Sequence, residues 1–174
     1  MVRYIAIFVL CLWSAAAFAD PANDHIVESE TAFIGIVVVS PWAGARSVAQ
    51  LWNPPESGKS LYVDRIEWAH SLSGPGGCDI RAYSQVYGTL RENPFNKKLG
   101  GPASVAEARW GNTPGGQLIG DILYECWRPK GFDDTGYTFD PAIIVPPGKG
   151  VVVAAANDGA HLIVSFQFRE KPSE

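Results

Sequence analysis

The stretch HLIVSFQF (residues 161–168) reads as a β-strand with a single buried face. Leu162, Val164, Phe166 and Phe168 fall on one side of an extended chain, and Ile163, Ser165, Gln167 and Arg169 fall on the other. A helix would scatter the same apolar residues around its circumference. Just upstream, Asn157-Asp158-Gly159 tolerates positive φ, which predicts a hairpin joining this strand to GVVVAAAN (150–157). Before that comes VPPGKG, a turn in which prolines fix φ and Gly148 and Gly150 relax it.

Six more runs of the same character lie further out: FIGIVVV (33–39), SVAQLWN (47–53), LYVDRIEWAH (61–70), CDIRAYSQ (78–85), QLIGDILYEC (117–126) and FDPAIIV (139–145). Clusters of Gly, Pro, Asn and Asp separate them. Eight such strands predict an all-β, antiparallel sandwich or barrel. Residues 91–116 form a long insertion rich in Gly, Pro and Asn, and loops of this length tend to carry function. Within it PASVAEARW (102–110) has Ala and Glu at helical spacing, room for one short helix. No internal repeat is present. Val37, Val152 and Ile163 read as outward apolar residues, a surplus that suggests a partner on a sheet face, such as a second copy in a homo-oligomer.

The compartment follows from the first nineteen residues. Arg3, the apolar run YIAIFVLCLW and the small-residue ending SAAAFA have the three-part pattern of a signal peptide cut between Ala19 and Asp20. The apolar run is short for a membrane span of about 20 residues. A secreted or periplasmic protein is expected, with a flexible acidic lead-in over 20–32, one β-sandwich domain over 33–170 and a short tail over 171–174. Cleavage removes Cys11 and leaves Cys78 and Cys126, an even pair in an oxidising compartment and so most simply one disulfide. Closing a loop of about fifty residues, it would contribute roughly 4 kcal/mol at most. The mature chain keeps 13 Lys and Arg against 18 Asp and Glu, a net charge of −5, with no basic block. Binding to a nucleic-acid backbone is not indicated.

The segment LWNPPESGKSLYV (51–63) carries Gly58-Lys59-Ser60, the ending of a phosphate-binding loop. Asn53 stands where that motif needs its first glycine, Pro54 and Pro55 remove two backbone donors, and a β-rich run follows in place of a helix. The segment reads as a turn between strands. LWNPPESGKSLYVDRI (51–66) resembles the strand-turn-strand segment of small β-sandwich proteins of phage and prophage genomes. KKLGGPASVAEAR (97–109), IIVPPGKGVVVAAAN (143–157) and LIVSFQFRE (162–170) resemble, in order, their mid-chain loop, their Pro-Gly turn and their closing strand. The resemblance implies a jelly-roll-like sandwich of virion or receptor-binding type, often oligomeric. The export signal and the cysteine pair depart from it.

Catalytic and metal signatures are missing. His25, His70 and His161 lack the close spacing of a zinc site, there is no G-x-S-x-G elbow, and no cofactor is implied. Glu67, Asp79, Asp121 and Glu125 lie on predicted strands and would serve a hydrolase only if two converged; the competing reading makes them solvated, or partners of Arg65 and Arg81. The richest local cluster is WRPKGFDDTGYTFD (127–140), where Trp127 and Tyr137 are interleaved with Asp133 and Asp134; Trp110, in the insertion, is a further candidate. Aromatic faces beside carboxylates suit a glycan or other cell-surface ligand. The alternative has Trp127 and Tyr137 capping the open end of the core. The expectation is a non-enzymatic exported module for assembly or surface recognition, ahead of a lectin and a small secreted hydrolase.

Overall fold

The structure, a computed structural model, describes residues 32–40, 44–70, 76–98, 100–114, 120–128 and 136–173. The leader and nearly all of the lead-in lie outside them. Eleven strands and no helix occur among the described residues. One sheet has the order β6 (Phe95–Asn96), β1 (Ala32–Val39), β11 (Leu162–Pro172), β3 (Lys59–His70), β9 (Gly136–Val145). The other runs β5 (Thr89–Glu92), β7 (Glu107–Pro114), β2 (Ala45–Asn53), β10 (Lys149–Ala155), β4 (Gly76–Tyr83), β8 (Asp121–Arg128). Every pairing is antiparallel.

Without β5, β6 and β7, the sheets read β1-β11-β3-β9 over β2-β10-β4-β8. That is the eight-stranded jelly-roll arrangement, in which successive strands cross between sheets except for the neighbours β4 and β8, and its members are the eight strands expected from the sequence. The three additional strands belong to residues 89–114, where a loop with room for a short helix was expected. The segment 107–114 is instead a strand against β2, running from Trp52↔Glu107 to Ala45↔Pro114. The insertion thus extends one sheet beyond β2 and the other beyond β1, and closes that side of the sandwich.

The inward faces carry the core. Leu162, Val164, Phe166 and Phe168 are buried as their alternation requires, and Phe168 stacks on Phe33 at 5.6 Å between ring centres. Leu51, Leu61, Ile66, Ile80 and Val151 pack with them. Full burial of each such side chain is worth about 1.5–3 kcal/mol. Val37 and Val152, expected to face outward, are both buried. Val37 belongs to the core, while Val152 lies with Val48 and Ala154 beneath Tyr83 and Tyr87. Gln50 holds that cover in place: its amide nitrogen donates to the Gln85 carbonyl (2.9 Å) and its oxygen accepts from the Tyr87 N–H (2.7 Å). Gly88 follows at φ +67°, where a Cβ would lie 2.0 Å from the Trp110 carbonyl oxygen.

The expected hairpin between the last two strands is not formed. β10 and β11 belong to different sheets, so Asn157-Asp158-Gly159 turns the chain from one layer to the other. Only Gly159 of the three takes positive φ (+75°). Turn chemistry reports that the chain reverses; it does not report which sheet the next strand joins. Ser47 secures this crossing by donating to the Ala160 carbonyl (2.5 Å), and the Gly159 N–H bonds the Ala45 carbonyl (2.9 Å).

Candidate functional site

On the side of the sandwich away from the insertion, the two layers end in β8 and β9. Each pairs with one neighbour, β8 with β4 and β9 with β3. Both ladders are interrupted. Along β8 the register passes from Ile80↔Tyr124 to Arg81↔Ile122, leaving Leu123 as the extra residue. Along β9 it passes from Val63↔Ile143 to Arg65↔Thr138. Bulges of this kind twist an edge strand away from straight pairing with another chain. They also redirect side chains.

The result is a groove. It has a volume of about 410 Å³ and is lined by Leu123, Ile143, Ile144, Val145 and Val151, with Asp121, Lys149 and Ser84 among its polar groups. That size and apolar lining are those of a ligand site. Leu123 is 47% exposed although it borders the interior. Gly120, at the start of β8, has φ +74°, and a Cβ there would strike the Ala82 carbonyl oxygen at 2.0 Å. This close approach fixes where Asp121 enters the groove wall. Beside the groove an aromatic row bridges the layers: Tyr124 of β8 lies 4.4 Å from Tyr137 of β9, and Tyr137 lies 4.9 Å from Phe139. Such pairs contribute about 0.5–1.5 kcal/mol beyond their buried area.

Of the site residues expected from the sequence, Tyr137 lies in this row. Trp110 does not join it. It sits half-buried on β7 against the core, and three strands separate β7 from β8, roughly 19 Å at ordinary strand spacing. Trp127 lies on β8 opposite Gly77, with its side chain outside the described residues, as are Asp133 and Asp134. Sequence reasoning missed Tyr124, Leu123 and Phe139. A signal was present: Ile122-Leu123-Tyr124 is an unbroken apolar run where a half-buried strand would alternate.

Cys78 and Cys126 form the expected disulfide, across the pair β4–β8. Of the strand carboxylates, only Asp79 and Glu125 stand directly opposite each other. Glu67 pairs with Arg65 (2.9 Å) on one sheet, and Asp79 pairs with Arg81 (3.1 Å) on the other. Glu125 lies across from Asp79 in the ladder, and Asp121 borders the groove. No three His, Cys, Asp or Glu side chains gather at metal-binding distance among the described residues. Among the described residues three pKa values are displaced, none of them in a groove residue: burial raises that of Tyr87 and lowers that of Lys97, and the Asp64 hydrogen bond raises that of Arg169. No helix among the described residues is long and apolar enough to cross a membrane. Compared with protein families, with functionally characterised proteins and with solved structures, the chain matches none.

Proposed function

We propose that this protein is a non-enzymatic, exported recognition module of phage-like descent that takes its ligand between β8 and β9. The observation that carries the reading is the unsealed edge: a jelly roll closed on one side by an insertion leaves Leu123, Tyr124 and Tyr137 open to solvent on the other. Sealing that edge would have stabilised the fold, because each of these side chains gains free energy from leaving water. Export is supported by the leader pattern and by a disulfide that persists in oxidising surroundings.

The test is binding of the mature chain to an apolar fluorescent dye and to a glycan array, repeated with Leu123→Asp and Tyr137→Ala. Loss of Leu burial is worth about tenfold to a hundredfold in affinity, so Leu123→Asp should abolish dye binding. Dye binding unchanged in both variants would remove the groove from consideration. A lectin is the second reading, favoured by the exposed Tyr137 phenol. Tyr137 is already in ring contact with Tyr124 and Phe139, which leaves less of its face for a sugar to stack upon. Array signals lost in Trp127→Ala and Tyr137→Ala, with dye binding intact, would select the lectin.

A further inference from the structure

We infer that the outer face of the β6-β1-β11-β3-β9 sheet is a two-fold docking surface for a second copy of this chain. The strand registers place its residues. Phe95 pairs with Ile34, Val38 with Ile163, and Ile163 in turn with Ala69, so these side chains share one face. Ile36 stands between Ile34 and Val38 on the same face. Phe95 is 57% exposed and Ile163 45%, and Ile36 and Val38 are exposed beside them. An apolar patch of this kind on a soluble domain marks an interaction surface.

Two further observations commit the face to a second copy. The first is area. Five strands wide and up to twelve residues long, but only two at β6, the face spans on the order of 700 Å² at ordinary strand spacing and rise. That is about what each partner contributes to a stable interface. The second is charge. The mature chain is acidic, so two copies repel over most orientations. On this face Glu67 is paired with Arg65 and Asp64 with Arg169, and Lys97 donates to Gln167 (2.8 Å). Two such faces meet with these carboxylates already neutralised. An isologous contact of this form closes on itself, and sheets pack face to face at about 10 Å.

This surface is independent of the groove, and its test is mass in solution. Sedimentation of the purified mature chain should show a dimer that dissociates on dilution. Ile163→Lys buries an uncompensated charge and should weaken it at least about a hundredfold, with circular dichroism unchanged because the position is exposed. Ile36→Lys and Ile36→Glu should each be monomeric alone and form a mixed dimer when combined. Leu123→Asp, in the groove, should leave the mass unchanged. A parent chain that stays monomeric at its highest soluble concentration would overturn the inference. So would an Ile163→Lys variant that dimerises as tightly as the parent.

Discussion

Asn53 stands where a phosphate-binding loop would place its first glycine, and its buried side chain ties three segments together. Its side-chain amide donates to the Lys59 carbonyl (2.7 Å) and the Val145 carbonyl (2.9 Å), while its backbone carbonyl accepts from the Gly148 N–H (2.8 Å). Asn53→Ala leaves two carbonyls without this donor and should lower stability by about 2–3 kcal/mol in urea unfolding. Glu170 has a similar role at the end of β11. Its buried carboxylate accepts from Lys59 Nζ (2.8 Å), Ser104 Oγ (2.6 Å) and the Val105 N–H (2.8 Å), fastening the insertion to the sheet. Glu170→Ala should cost about 3 kcal/mol, and Glu170→Gln, which keeps the shape, less. Equal losses would show that the charge carries the whole contribution and the retained shape none. The sequence marked Asn53 as a turn residue and no more. Its partner Val145 lies 92 positions away, a distance over which local chemistry carries no signal.

At the level of strands, legibility followed burial. The eight principal strands are β-rich runs bounded by turn residues and so showed through, β11 most clearly because its buried face alternates strictly. β7 did not, because Ala108 is its small core-facing contribution, following Ala106 just before the strand, and Glu107, Arg109 and Trp110 beside them are equally at home in a helix. β5 and β6, of four and two residues, are too short to show a period. The disulfide acts on a single element: it pins the edge strand β8 to β4, on the side away from the insertion. Replacing Cys78 and Cys126 with Ala should cost roughly 3–4 kcal/mol. Hydrogen exchange should then show the amides of 121–126 losing protection before those of β10, which is flanked on both sides. Simultaneous loss across the whole sheet would mean that β8 is not an independent unit of opening.

For the molecule as a whole, the class of fold was readable and its open side was not. A groove built from Leu123 on one strand and Ile143 on another exists only once the layers are stacked, and nothing in the order of residues announces it. Expressed with its leader, the chain should be recovered outside the cytoplasm beginning at Asp20, which intact-mass measurement checks; a product that retains residues 1–19 would overturn the export reading. Topology adds a point about timing. β11 follows every other strand along the chain yet sits third of five in its sheet, between β1 and β3. Until those residues are present, Phe33 has no Phe168 to stack on, and β1 and β3 have no strand between them. A polypeptide threaded through a secretion pore starting from its leader would therefore stay pliable until passage is nearly done, and would lock into shape only on the far side. A version truncated before Leu162 should remain protease-sensitive, and resistance to digestion would refute that order of events.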